Sequence, residues 1–209
     1  MNIGLVTSYV IGGMLLIGIL AMNMSLSSSS TELTLTQTTR EKAKGVKEFI
    51  THDIQKMGYN REGKTTPILE VGESNKIVFY SNIDDTESNQ NTDVEKVTWE
   101  FPGAPLDKGN PNAYELVRTV EHLDTGNIEK TPIRLGVTNF EIKYFDEYGK
   151  SLSHAMSPPL SSSELTNVVQ LYITLELQSS AKINQNTGAG GFVRTIWEKR
   201  FSPPNLEEI

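Results

Sequence analysis

The chain of 209 residues is 37% hydrophobic and 22% charged, which is enough for one domain with a genuine hydrophobic core. Its net charge of −7 disfavours nucleic acid as a partner, because phosphate binding needs a surplus of lysine and arginine. The absence of cysteine excludes disulfides, thiolate metal sites and a thiol nucleophile.

The chain begins with an uncharged apolar stretch, MNIGLVTSYVIGGMLLIGILAMNM, and its first charged residue is Glu32. About 20 such residues in a helix cross the hydrocarbon of a bilayer. A removable signal peptide would have a basic start, a shorter apolar core and a small-residue cleavage site, so the pattern favours a retained helix. We therefore predict a transmembrane stem at residues 1–24. The next basic residues, from Arg40, are too distant to orient it strongly.

Three glycines in the stem bear on how it packs. Gly12, Gly13 and Gly18 leave room for another helix to approach closely, as small residues do in membranes. The ordinary composition of membrane helices is the alternative explanation for them.

Residues 25–58 are predicted to continue the same helix. The first part is rich in serine and threonine without proline or glycine, and from about residue 40 the pattern becomes amphipathic. Apolar residues then recur at the helical spacing, and Gly58 ends the run as a C-cap glycine would; they are Ala43, Val46, Ile50, Ile54 and Met57. We expect Val46, Ile50 and Ile54 to pack against a sheet.

The sequence pattern of residues 59–209 predicts a β-rich globular domain. Short runs such as NKIVFYS, EKVTWEF, AYELVRTV and NFEIKYFD are bounded by glycine, proline, asparagine and aspartate. The clearest strand, TNVVQLYITLELQS, alternates strictly between apolar and polar residues, and FVRTIWEKRF is predicted to pair with it. The expected fold is therefore α+β, with a long N-terminal helix, half transmembrane and half amphipathic, packed on an antiparallel β-sheet.

The sequence carries no recognisable catalytic constellation. Its histidines are His52, His122 and His154, far apart in the chain, and no G-x-S-x-G, H-E-x-x-H or P-loop pattern occurs. His52 precedes Asp53 directly, but neighbouring residues on a helix are not expected to face one site. We therefore expect a protein that is not an enzyme and that holds no cofactor.

One acidic segment, SNIDDTESNQNTD, allows a different expectation about metals. Asp84, Asp85 and Asp93 offer the hard oxygen donors that Ca²⁺ uses. The segment lacks the glycine and the spacing of an EF-hand, so a solvated loop is the favoured interpretation and a calcium site is the alternative.

Four segments, in this order, resemble type IV pilin-like proteins, most closely the PilW-like minor pilins and the J-type minor pseudopilins of type II secretion. They are the apolar helix that runs into an amphipathic one, the helix end ITHDIQKMGYN, the strand and acidic turn IVFYSNIDDTE, and YELVRTV…IRLGVTNFEIKYFDEYGKSL followed by LTNVVQLYITLELQS. Together they cover nearly the whole chain. The family patterns that they resemble are a DIR.AGY helix end, and L.R followed by a GV..F...Y.D..G unit.

The resemblance implies a non-catalytic structural subunit of a type IV pilus or a type II secretion-like filament. Its partners would be other pilin-like subunits, through the N-terminal helix, and membrane lipid. It would lie in a bacterial inner membrane as a single-pass protein with its globular domain outside the cytoplasm, or in a periplasmic or extracellular filament. A single-pass anchored accessory subunit of an envelope complex that does not polymerise is the alternative.

The resemblance also implies a processing site, where the chain departs from the family pattern. Cleavage after Gly4 would make Leu5 the first mature residue and Tyr9 the fifth. The family has a basic leader, and a glutamate at that fifth position meets the N-terminal amine of a neighbouring subunit. The absence of this glutamate implies either a subunit at a position without such a neighbour, such as the filament tip, or a protein that is not a standard pilin.

Overall fold

A computed structural model of the chain describes residues 3–59, 67–83, 94–106, 109–152, 159–183 and 190–206. Within these ranges the elements follow in the order α1, five strands, the short helix α2 and two more strands. Their bounds are α1 Ile3–Gln55, β1 Leu69–Gly72, β2 Lys76–Ser81, β3 Glu95–Glu100, β4 Tyr114–His122, β5 Ile128–Phe145, α2 Ser162–Leu165, β6 Gln170–Lys182 and β7 Phe192–Phe201, with a 3₁₀ turn at Pro204–Leu206.

Helix α1 is continuous over 53 residues, so the apolar and the amphipathic segments form one rod. It stops where Gly58 adopts a φ of 75°, a left-handed conformation that glycine tolerates without steric cost. The serines and threonines in its middle have low helix propensity, but they lie between two long segments that favour a helix.

The strands form one curled antiparallel sheet in which spatial order equals chain order, from β1 to β7. Helix α1 packs on β5, β6 and β7. The sequence-based expectation of a long helix packed on an antiparallel sheet, an α+β fold, is confirmed.

Strand β5 is more than twice as long as the run predicted from NFEIKYFD. Its first half pairs with β4 and its second half with β6, and Val137 pairs with both. The change of partner occurs near Gly136, whose φ is 88°. A side chain there would place its Cβ 2.4 Å from the carbonyl oxygen of Gln178, so only glycine allows β6 to approach. Pro132 is compatible with the first half because that half has no described strand on its other side.

The core lies between α1 and the inner face of the sheet. On β6 the predicted alternation holds: every second residue from Leu171 to Leu177 is fully buried. The largest buried side chains of the other strands include Trp99, Tyr144 and Phe79. Burial raises the pKa of Tyr144 well above its ordinary value of 10.0, the nearby Glu73 carboxylate adds to the shift, and the hydroxyl donates to the carbonyl oxygen of Glu73 at 2.9 Å.

Candidate functional site: the stem helix and its junction with the sheet

The first half of α1 touches nothing else in the molecule. Every residue from Ile3 to Ser27 is exposed, including large apolar side chains such as Tyr9, Met14 and Ile17. Residues 3–24 span about 33 Å at the rise of an α-helix, close to the ~30 Å hydrocarbon of a bilayer. Among the described helices, α1 alone is long and apolar enough to cross a membrane. The stem is thus compatible with a single-pass membrane anchor.

The three stem glycines lie in open space. A Cβ built on Gly12, Gly13 or Gly18 would have no other heavy atom within 4 Å, beyond its own local helix. The helix surface at these points is therefore a set of shallow notches that a neighbouring helix or lipid chains could fill.

The proposed processing site lies in the first described turn of α1. Gly4 and Leu5 are both exposed, and the carbonyl oxygen of Gly4 accepts a hydrogen bond from the Ser8 hydroxyl at 3.0 Å. The bond between them lies within the helix, and cleavage there remains a prediction.

Between the stem and the globular domain α1 crosses a polar stalk, residues 25–38. The first buried residue after it is Thr39, so the stalk separates the two by about 21 Å. Several of its hydroxyls donate to carbonyl oxygens of the preceding turn, for example Thr31 to Ser27 and Thr34 to Ser30, each at 2.9 Å. These bonds satisfy part of the polar groups of the stalk, whereas Glu32 and the hydroxyls without such a bond still require water or a polar neighbour.

The second half of α1 is docked on the sheet. Val46, Ile50 and Ile54, for which the sequence predicted contact with a sheet, are each 1% exposed and belong to the main hydrophobic cluster. Phe49 lies beside this stripe and is 59% exposed. The helix therefore buries one stripe of its surface and leaves the other sides open.

A buried carboxylate joins the end of α1 to two strands. Asp53 is 1% exposed, and its Oδ2 accepts hydrogen bonds from Trp99 Nε1 at 3.0 Å and from Arg118 Nε at 2.6 Å. Its Oδ1 accepts a further bond from Arg118 Nη2 at 3.1 Å. Trp99 and Arg118 are direct partners in the register between β3 and β4, so one carboxylate holds a cross-strand pair.

The backbone after Asp53 is also held tightly. Gly58 N donates to the carbonyl oxygen of Tyr80 at 2.9 Å, and the Ser81 hydroxyl donates to the carbonyl oxygen of Lys56. Asn205 Nδ2 donates to the carbonyl oxygen of Met57 at 3.0 Å. The last two bonds satisfy carbonyl oxygens that a helix end otherwise leaves without partners.

A second buried carboxylate, Glu95, lies farther along the inner face. It is 1% exposed, and its Oε2 accepts a hydrogen bond from the backbone N–H of Ile83 at 2.8 Å. His122 Nδ1 lies 3.8 Å from its Oε1. The inner face thus changes from apolar to polar towards this end of the sheet.

The sequence did not reveal the role of Asp53. Its neighbour His52 lies on the exposed surface of the helix, yet its ring reaches the carboxylate. His52 Nδ1 lies 3.3 Å from Asp53 Oδ1, although adjacent helical residues were not expected to face one site. The side chain of His52 is 55% exposed, so its ring folds back over the helix surface to reach the carboxylate. A signal was present, because the spacing of Val46, Ile50, Asp53 and Met57 places the aspartate on the buried stripe.

The expected acidic metal ligands Asp84, Asp85 and Asp93 lie outside the described residues. Among the residues that the structure does describe, no three acidic or histidine side chains are grouped so as to hold a metal ion.

Comparison with known proteins does not assign the chain to a family. No protein-family model matches it, and no curated protein is similar enough to count as a match.

Proposed function

We propose that this protein is a non-catalytic structural subunit of a pilus-like or secretion-like filament, held by its stem. The observation that carries the proposal is the division of one rigid helix into two environments. Its second half is built into the domain core, while its first half presents a bare apolar surface. That surface suits lipid before assembly and other stems afterwards, because both surroundings are apolar.

The junction supports the proposal independently of the stem. Asp53 belongs to the helix-end segment and Arg118 to the YELVRTV segment, two of the four segments that resemble pilin-like proteins. The two residues are 65 positions apart and form a buried ion pair. A filament subunit has to transmit force between its stem and its domain, and a buried bidentate pair at the helix end resists rotation of one against the other.

The alternative function is that of a single-pass accessory subunit that does not polymerise. It is favoured by the composition of the stem, which offers no carboxylate before Glu32 and has Tyr9 at the position where the family has glutamate. In this case the stem would contact lipid or an unrelated transmembrane helix.

Cross-linking through the stem distinguishes the two functions. Because the chain has no cysteine, Leu16→Cys provides a unique reactive site in the full-length protein. If the protein belongs to a filament, Leu16→Cys should cross-link in the native host to other proteins that bear such a stem. Mass spectrometry identifies these partners. Gly18→Arg should abolish the cross-links, because a charge in the apolar stem opposes both membrane entry and stem packing. Tyr148→Arg, at an 85% exposed position on the domain, is the matched control and should leave them intact.

Cross-links only to a membrane complex without stem-bearing subunits would contradict the filament proposal and support the accessory function. Mass spectrometry of the mature N-terminus completes the experiment. A start at Leu5 supports processing after Gly4, whereas an intact Met1 in such a complex argues against it.

A further inference from the structure

Strand β7 forms an open edge of the sheet over ten residues, Phe192–Phe201. It pairs with β6 in an unbroken register from Arg194 to Phe201. No residue in the described ranges pairs with its other side. Unpaired N–H and C=O groups along a long regular edge are a template for an additional strand.

The other edges of the sheet are protected. Strand β1 has only four residues and a register shift, and its Gly72 carbonyl oxygen accepts a hydrogen bond from Leu160 N at 2.9 Å. Each half of β5 has one side without a described strand partner: the first half contains Pro132, which has no N–H to donate, and in the second half Ile142 N donates to the carbonyl oxygen of Ser74 at 2.7 Å. Strand β7 has no proline and no bulge within this register, so it lacks these forms of protection.

The charge of this edge is opposite to that of the protein. Strand β7 carries three cations, Arg194, Lys199 and Arg200, against the single carboxylate of Glu198, whereas the whole chain has a net charge of −7. Arg194 is neutralised by Glu176 at 2.6 Å. Lys199 and Arg200 contact the rings of Phe201 and Phe145 and form no ion pair within the described part of the chain.

We propose that the β7 edge binds an extended segment of another subunit, added as an eighth strand, that carries carboxylates at alternate positions. The identity of the partner as a subunit rests on the proposed function. Side chains directly opposite on adjacent antiparallel strands lie about 5 Å apart, so acidic residues of the added strand reach Lys199 on one face or Arg200 on the other. A second copy of β7 is a poorer occupant, because it brings the same excess of cations.

The test uses the full-length protein in detergent micelles and two labelled, capped nine-residue peptides. One alternates glutamate with threonine and valine, and the other has lysine in place of glutamate. Fluorescence anisotropy should give saturable binding of the acidic peptide, at least about tenfold tighter than that of the basic peptide and weakened by salt. Lys199→Glu/Arg200→Glu should invert this preference, while Lys130→Glu on the protected β5 edge should not change it.

Hydrogen exchange on the unsubstituted protein locates the binding without depending on any variant. The acidic peptide should slow exchange at β7 amides and leave β1 unchanged. Equal binding of both peptides, or protection away from β7, would overturn the proposal. Sedimentation would also overturn it if the protein without peptide formed a dimer and Lys199→Glu/Arg200→Glu altered that dimer. The β7 edge would then bind a second copy of the chain. Neither peptide touches the stem, so failure here leaves the stem cross-links, and the function they test, unaffected.

Discussion

At the scale of single residues, Asp53 is the most constrained polar group of the junction. A carboxylate that is 1% exposed loses nearly all of its hydration, and only strong hydrogen bonds offset that cost. Trp99 and Arg118 supply three such bonds, two of them from the charged guanidinium of Arg118. The pair therefore contributes orientation more than net stability, since it fixes the rotation of α1 relative to the paired residues Trp99 and Arg118.

Breaking this pair should be costly, and replacing both partners should cost less. We expect Asp53→Asn to lower the free energy of unfolding by about 3–5 kcal/mol, because the Arg118 charge is left buried without its partner. The double variant Asp53→Leu/Arg118→Met should recover part of the loss, because it removes both charges but leaves the buried Trp99 N–H without its acceptor. Denaturant unfolding of the full-length protein in detergent, followed by tryptophan fluorescence, measures both. An Asp53→Asn midpoint equal to that of the unsubstituted protein would mean that the pair is not energetically coupled.

The docked stripe of α1 permits a test with a control on the adjacent residue. Ile50→Asp should destabilise the domain by several kcal/mol (roughly 3 or more), because it buries an unpaired charge in the main cluster. Phe49→Asp, one position earlier and 59% exposed, should change stability by less than about 1 kcal/mol. Thermal melts of the two variants compare them directly. Similar melting temperatures for both would show that the helix is not docked through the Ile50 face.

At the scale of elements, the short strand β1 depends on side chains as much as on its ladder. Glu70 falls at the register shift of β1, where its carboxylate accepts hydrogen bonds from the Tyr80 hydroxyl and from Lys96 Nζ, the latter at 2.7 Å. Burial tends to raise the pKa of Glu70, but these two hydrogen bonds and the Lys96 charge outweigh it, so the pKa lies below 4.5. The side chain thus ties β1 to β2 and β3.

This lowered pKa predicts the sign of a pH effect. A carboxyl group with a lowered folded-state pKa binds fewer protons when folded than when unfolded, so its contribution is complete above the ordinary pKa and is lost as pH falls through the folded value. The unsubstituted protein should therefore lose stability relative to Glu70→Gln between about pH 5 and pH 3. The difference should stay below about 1 kcal/mol, because the side chain is about one-third exposed. Parallel pH dependences of the two proteins in denaturant titrations would rule out this role.

At the scale of the whole molecule, the continuous helix sets the distance between the stem and the globular domain. With the stem in an apolar layer, the stalk holds the first buried residue, Thr39, about 21 Å beyond it. The curled sheet docks only on the last part of the rod, so the stem and most of the stalk lie outside the domain core. A subunit of this shape can contact neighbours through the stem, the stalk and the sheet at the same time.

Calcium binding is a further property of the whole chain that solution measurements decide. We expect no saturable heat when Ca²⁺ is titrated into the full-length protein in detergent, because the acidic segment lacks the glycine and the spacing of an EF-hand. Asp84→Asn/Asp85→Asn serves as the control. Binding that is present in the unsubstituted protein and lost in this variant would establish the calcium site instead.

The sequence by itself determined the properties that depend on local periodicity. The uncharged stretch of hydrocarbon-spanning length predicted the stem, and the spacing of Val46, Ile50 and Ile54 predicted the docked face of α1. The alternation around Leu171 predicted a strand with one buried face. Each of these signals lies within one element, where side-chain burial follows directly from backbone geometry.

Only the tertiary structure decided which distant residues meet and which edge stays open. Asp53 finds Arg118 because of the rotation of α1 over the curled sheet and the register of β3 with β4, and neither is encoded in a local pattern. The division of β5 at Gly136 and the unpaired side of β7 likewise depend on how strands are shared across the sheet. Local periodicity reports which face of an element is buried, whereas its partners follow from the packing of the whole chain.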